Sequence, residues 1–390
     1  MRILFVVNNC YVKGNGLSAS AQRTVAGLRQ LGHEVRVLSG ANPDPRGPQP
    51  EYVLPDAHVP VFDGLIHAQG YCFARAERSV LREAVRWAEV IHLEEPFPLQ
   101  WHTLAVARSE GRVCTATYHL HPENLLSSVH LGHWRLPNHL ILRWWRDHVF
   151  NRCAAVQCPT RSVQRRLEAF RFRPPLYLIS NGIQPLSAEE KAAAPLPAVP
   201  RAPYILLCVG RYSVEKDQKT LLRAMRYSRH AKDIQLVLAG RGPQEKRLKS
   251  LADRLVREGT LVHPPRFGFY SMAELTALAE KAALYVHCAD VEVEGLGCLE
   301  ALRVGLVPVL ADGELTATAQ FALGPDSVFP AGDERKLAER IDHWLDRPEA
   351  LPEEAARYRA VEQDYDIADS LRRLAQMMEA ALKGDTHGKL

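Results

Sequence analysis

The sequence has no Cys-x-x-Cys pair among its 8 cysteines, no complete Gly-x-Gly-x-x-Gly fingerprint, and no apolar run near the roughly 18 residues that span a bilayer. The first absence speaks against a zinc or dithiol centre. Cys10, Cys72, Cys114, Cys153, Cys158, Cys208, Cys288 and Cys298 are scattered, mostly in apolar segments, and read as reduced core thiols of a cytoplasmic protein. The second disfavours a hydride-transferring dinucleotide enzyme. The third excludes a transmembrane helix, since Ile3 to Val7 and Val304 to Leu310 are far too short. The first of these runs ends in Asn8-Asn9, too soon for a signal-peptide core, and is expected to be a buried strand. Gly and Pro lack a fibrous period, and 46% apolar residues is too many for intrinsic disorder.

What is present suits a two-domain globular chain: 390 residues, 24% charged, net +4. The charge is unevenly spread. Between residues 131 and 173, Arg135, Arg143, Arg146, Arg152, Arg161, Arg165, Arg166, Arg171 and Arg173 face only Asp147 and Glu168.

Strand, turn, helix and strand follow one another over the first 38 residues, a βαβ pattern whose continuously apolar strands imply a parallel sheet covered on both faces. The pattern repeats with strand candidates at Val90 to Leu93, Val113 to Thr117, Ala154 to Cys158 and Leu176 to Ile179. Pro195, Pro197, Pro200 and Pro203 mark a linker. Residues 1–182 are therefore expected to form one Rossmann-like domain, 183–203 a linker and 204–365 a second such domain. The second begins with strands Tyr204 to Val209, Gln235 to Ala239, Thr260 to His263 and Leu284 to His287, and its last strand is Val307 to Leu310. Residues 366–390 are expected to form a helix packing back on the first domain. Such sheets bind ligands outside the carboxyl ends of their strands.

Four segments lie at such ends. Lys13-Gly14-Asn15-Gly16 leads into a helix and could bring backbone N–H groups to a phosphate, although a lone Gly-x-Gly is equally a plain turn. Arg211 and Lys216 place a forked cation and a point charge in one loop, as a diphosphate leaving group requires; the alternative is a solvated basic turn. Glu292, Glu294 and Glu300 surround Gly295, Leu296 and Gly297 at a strand-to-helix turn, where acids can accept from sugar hydroxyls and amides can hold phosphate or sugar oxygens. His119, His121, Glu123 and Asn124 concentrate polar groups after another strand; metal binding by the two histidines lacks a third ligand.

Taken in order, these pieces, with Ser180-Asn181-Gly182-Ile183, Ala239-Gly240-Arg241-Gly242-Pro243 and Glu300-Ala301-Leu302, resemble the retaining GT-B glycosyltransferases of family 4, the "group 1" glycosyltransferases. The resemblance implies an α/β fold of two doubly wound parallel-sheet domains facing an interdomain cleft. It implies a nucleotide diphosphate sugar as co-substrate, with no bound cofactor and no metal. It places Gly16 near the donor β-phosphate, Arg211 and Lys216 on the diphosphate, Arg241 in the donor site and Glu300 on the ribose. Glu292 or Glu294, with the amides through Gly295 and Leu296, would hold the transferred sugar, and His119 would lie near the reacting centre. A second acid at Glu294 and Leu296 in place of a frequent aromatic depart from the commoner pattern, so which acid faces the sugar stays open.

His121, Glu123 and Asn124 also resemble a diacylglycerol-glycosylating branch of that family. The expected acceptor is then a lipid such as diacylglycerol and the donor UDP-glucose or similar. A soluble or polysaccharide acceptor, a non-catalytic nucleotide-sugar-binding protein and a sugar-nucleotide epimerase are the alternatives. No nucleic-acid partner is expected. The stretch around His139-Leu140-Ile141-Leu142-Arg143-Trp144-Trp145-Arg146 mixes Trp and Arg, which suits an anionic membrane surface and hence a cytoplasmic enzyme peripheral to the inner face of the plasma membrane; it equally suits an ordinary helix whose Trp residues fill the core.

Overall fold

The computed structural model describes residues 1–12, 16–58, 64, 71–129, 131–186 and 199–384. Lys13, Gly14 and Asn15 of the first glycine loop, residues 187–198 of the linker and residues 385–390 lie outside the described residues. The chain divides into two compact units: Met1–Pro122, Trp134–Asn181 and Ile367–Leu390 form the first, and Glu123–His133 with Gly182–Asp366 the second.

In the first unit, among the described residues, β1 (Arg2–Val6), β2 (Glu34–Gly40), β3 (Tyr52–Leu54), β6 (Val90–Leu93), β7 (Val113–Thr117), β8 (Ala155–Cys158) and β9 (Leu176–Leu178) form one sheet in the order β3-β2-β1-β6-β7-β8-β9. Every neighbouring pair is parallel. A two-stranded ribbon, β4 (Asp56–Ala57) and β5 (Phe73–Ala74), stands apart. Strands β6 and β8 are buried at every position, as expected of a sheet covered on both faces. One covering layer comes from the chain's far end. The Ile367–Lys383 helix sets Leu371, Leu374, Met377 and Met378 into the core formed by Ile3, Phe5, Val25 and Leu28. It meets the Gly16–Gln30 helix at Gly27, where a Cβ would lie 2.1 Å from Leu371 Cδ1.

The second unit repeats the plan. Strands β10 (Tyr204–Val209), β11 (Ile234–Ala239), β12 (Arg266–Gly268), β13 (Leu284–His287), β14 (Pro308–Asp312) and β15 (Val328–Pro330) pair in parallel in the order β12-β11-β10-β13-β14-β15. The strand expected at Thr260 to His263 is absent and appears instead as β12. The N–H groups of Thr260 and Leu261 both turn back to the Leu255 carbonyl to close the preceding helix, and Pro264-Pro265 offer no N–H, so pairing starts only at Arg266. Val307 to Leu310 is not the last strand either, because the three-residue β15 forms the sheet edge beyond it.

In both sheets the order in which strands are added reverses at one place, between β1 and β6 in the first unit and between β10 and β13 in the second. In doubly wound sheets that switch point is where ligands gather, just past the carboxyl ends of the flanking strands. The 8 cysteines are all free thiols, buried except for half-buried Cys72. Among the described residues no helix is long and apolar enough to cross a membrane.

Candidate active site

At the first unit's switch point, two consecutive acids follow β6. Glu94 is 2% exposed; its carboxylate lies 2.7 Å from His119 Nε2 and 3.1 Å from His92 Nε2. Burial would raise the Glu94 carboxyl, yet the two imidazoles hold it down at about 2. His92 is itself fixed by Thr115 and Thr117 hydroxyls, each 2.9 Å away. Thr117 donates to Gln157 at 2.7 Å, and Gln157 donates to the Ile179 carbonyl at 2.9 Å. The chain of bonds thus runs from β6 across β7 and β8 to the end of β9. Beside it, Glu95 accepts from the Asn8 backbone, the Asn8 amide, Gln100 and the Tyr71 hydroxyl, and burial pushes its carboxyl up. His119, a sequence candidate, is therefore backed by a buried carboxylate.

The other first-half candidates occupy different settings. Gly16 opens its helix on the surface, with nothing within 4 Å of where a Cβ would stand. His121 is 2% exposed, with Nδ1 3.1 Å from the Tyr118 hydroxyl and 2.9 Å from Arg166. Glu123 and Asn124 belong to the second unit and His121 to the first. The basic stretch also sorts itself. Trp145 is 3% exposed and fills the interior as an ordinary amphipathic helix requires, while Trp144 is half-buried, packed between Trp101 and His148. The rings and side chains left in water are Trp134, Leu136 and Leu140, at 63%, 71% and 55% exposure, beside exposed Arg135 and Arg143.

In the second unit the candidates after β10 and β13 converge. The 210–217 loop is held internally: Glu215, 3% exposed, accepts from Arg211 at 2.8 Å and from Ser213 at 2.6 Å, while Gln218 donates to the Arg211 carbonyl at 2.9 Å. The loop rests directly on the 240–243 backbone. A Cβ at Gly240 would come 2.0 Å from the Gly210 carbonyl oxygen, and one at Gly242 2.4 Å from that of Tyr212, which is why glycines flank Arg241. Arg241 lies exposed with its guanidinium 4.7 Å over the Phe269 ring, an aromatic partner that the sequence reading missed.

Lys216 reaches the Glu292 carboxylate, joined there by His287 Nε2 at 3.2 Å. Burial opposes ionisation of Glu292, but Lys216 and His287 hold its carboxyl well below the usual carboxylate range. The Glu292 backbone is clamped in turn, donating to Leu315 at 2.8 Å and accepting from Ala317 at 3.1 Å. Glu294 is buried, and Gly295 takes φ +83° with Thr318 Cγ2 2.3 Å from a would-be Cβ, a position closed to any other residue. Leu296 starts the Leu296–Arg303 helix, and Glu300 sits half-buried about one turn along it. A lysine, a carboxylate and a helix start thus meet beyond two strands that flank a switch point, an arrangement able to bind a phosphorylated polyol.

Two family models match the chain almost end to end: "Glycosyltransferase Family 4" over residues 14–185 and "Glycosyl transferases group 1" over residues 195–361. The chain belongs to this family and is a glycosyltransferase of the GT-B fold. It is similar to the phosphatidyl-myo-inositol mannosyltransferase of Mycobacterium leprae, 28% identical over 87% of this chain and 86% of the relative. The same-named protein of Mycolicibacterium smegmatis is 24% identical over 88% and 90%. Among solved structures, Anabaena HepE in complex with UDP and glucose aligns with TM-score 0.71 at 15% identity, covering 97% of this chain and 100% of that one. Sucrose-phosphate synthase of Thermosynechococcus elongatus aligns at 0.70 and 17%, covering 98% and 99%. At such identities the structural matches speak to the fold.

Proposed function

We propose that the protein is a retaining hexosyltransferase that uses a nucleotide diphosphate sugar, UDP-glucose or a similar donor, and transfers the hexose to a hydroxyl of a membrane lipid. The observation that carries the donor reading is the meeting of Lys216, on the same loop as Arg211, with Glu292, just ahead of the helix that carries Glu300 about one turn in. The lipid acceptor is supported by the names of the two mycobacterial relatives, whose identity to this chain reaches 28%. Diacylglycerol and phosphatidylinositol are both acceptors of this kind.

In the proposed reaction the acceptor oxygen bonds to the anomeric carbon while the bond to the donor phosphate breaks. The leaving diphosphate takes the electron pair and, on the same face, the acceptor proton. Arg211 and Lys216 neutralise the charge that develops on it, Glu292 holds the hexosyl hydroxyls, and Glu300 the ribose. His119, held by Glu94, is the first-unit residue that the family resemblance assigns to the reacting centre. No covalent enzyme intermediate is involved, and catalysis rests on positioning and charge stabilisation. The exposed Trp134, Leu136 and Leu140 with Arg135 and Arg143 would bring the first unit to an anionic membrane surface. Incubating the purified protein with a pool of nucleotide sugars and a lipid extract, followed by mass spectrometry of the lipid phase, tests the reading. A hexosylated lipid supports it, and transfer only to water-soluble acceptors overturns the acceptor assignment.

A further inference from the structure

Behind the Glu292 carboxylate lies a buried chain of two further side chains. Tyr285 and His287 stand two residues apart on β13, so both project from the same face of the sheet. The Tyr285 hydroxyl is 3.0 Å from His287 Nδ1, and His287 Nε2 is 3.2 Å from Glu292 Oε2, the oxygen that also receives the Lys216 ammonium. Tyr285 is fully buried and His287 is 5% exposed. Burial, with the nearby carboxylates of Glu292 and Glu300 acting in the same direction, holds the phenol well above its ordinary range, so at neutral pH it is an O–H group.

The hydrogen-bond roles follow. A nitrogen facing a carboxylate must carry the proton, so Nε2 is the N–H. Lys216 already neutralises Glu292, so no second positive charge is called for, and a neutral imidazole leaves Nδ1 as the acceptor for Tyr285. Two donors then fasten Oε2, while among the described residues no hydrogen bond reaches Oε1.

We propose that Tyr285 and His287 are positioning residues that lock the Glu292 carboxylate by one oxygen, so that the other is presented to a hydroxyl of the donor's hexosyl group. Neither touches substrate; Tyr285 selects the His287 tautomer, and His287 sets the carboxylate's rotation. The inference rests on the donor-site reading above, and it assigns sugar recognition, as distinct from nucleotide recognition, to a relay that begins in the core.

The test compares affinities for UDP-glucose and for UDP by calorimetry, and for GDP-mannose and GDP in parallel, in the intact chain and in Tyr285→Phe, His287→Gln and Glu292→Gln. Tyr285→Phe removes one oxygen and keeps the buried ring. It is expected to weaken the sugar nucleotide fivefold or more and to leave the nucleoside diphosphate within twofold, with His287→Gln acting in the same direction. Equal weakening of both ligands, or of neither, would overturn the positioning role. Glu292→Gln separates the two levels. If it leaves the ratio of the two affinities unchanged, the donor-site reading itself fails; if it changes the ratio and Tyr285→Phe does not, only the relay fails. A measurement on the unaltered protein guards against a misfolded variant: the ¹⁵N spectrum should show His287 as the neutral Nε2–H form, and an Nδ1–H form would contradict the relay.

Discussion

Glu94 accepts a 2.7 Å hydrogen bond from His119 Nε2, and the two side chains are 3% and 9% exposed, so a full negative charge is kept inside the first unit by an imidazole at its rim. Such a charge is tolerable only while its partners stay in place. The pairing ties a buried charge to His119, the first-unit residue proposed for the reacting centre.

The pairing has a pH signature. The Glu94 carboxyl titrates at about 2 in the folded protein against a reference of 4.5, so the unfolded chain takes up the proton first as pH falls. The resulting stability, of order 3 kcal/mol, is fully present above about pH 4.5 and is lost as pH drops towards 2. Urea unfolding at pH 6 and pH 3 should show Glu94→Gln well below the parent at pH 6, with the gap closing at pH 3. A gap of constant size would mean that Glu94 is not held ionised.

At the donor site, Lys216→Ala and Glu300→Ala should each lower transfer by a factor of about ten or more, the loss expected when a charge-assisted contact of roughly 1.5–3 kcal/mol disappears. Steady-state kinetics against the nucleotide sugar measures this. Unchanged kinetics in both variants would remove the site from this loop and helix.

The packing of the C-terminal helix on the first unit can be probed at Gly27. A Cβ there meets the flexible end of Leu371 at 2.1 Å, so Gly27→Val should cost about 1–3 kcal/mol through overpacking. Gly27→Val in a Leu371→Ala background should recover much of that difference, since the atoms it would meet are gone. Thermal melts of the four combinations give the coupling, and additive effects would show that the two helices do not meet as described.

For the membrane surface, replacing Trp134, Leu136 and Leu140 by Gln should abolish flotation with anionic vesicles, whereas Trp144→Phe should leave it intact. Flotation that shows no preference for anionic over neutral vesicles would count against the whole surface.

Much of this molecule was legible in its sequence because parallel strands buried on both faces are mostly apolar, with few polar interruptions. Strands β1, β6, β7, β8, β10, β11 and β13 announce themselves, and so do the loops after them. The short edge strands were not legible: β12 and β15 have three residues each, and apolar Leu261 belongs to a helix cap. Within the site, Arg211, Lys216, Glu292 and Glu300 could be singled out because unusual residue types fall at predictable strand ends. Glu94, His287 and Phe269 could not, since their meaning comes from partners 25, 5 and 28 positions away. Trp144 and Trp145 illustrate the limit of composition: an Arg- and Trp-rich helix can turn its rings either way, and only the packing, Trp145 against Phe97 and half-buried Trp144 against Trp101, decides it.

The central claim is that this glycosyltransferase draws its hexose from a nucleotide diphosphate sugar held at Lys216, Glu292 and Glu300 and delivers it to a lipid. The most direct measurement is mass-spectrometric identification of the product formed from pooled nucleotide sugars and a lipid extract, run beside Lys216→Ala and Glu300→Ala. The account predicts a lipid gaining one hexose, with the α-anomeric configuration of the donor retained, at a yield that falls about tenfold or more in each variant. Release of no nucleoside diphosphate from any donor by the unaltered protein, or a lipid product whose yield neither variant lowers, would contradict it.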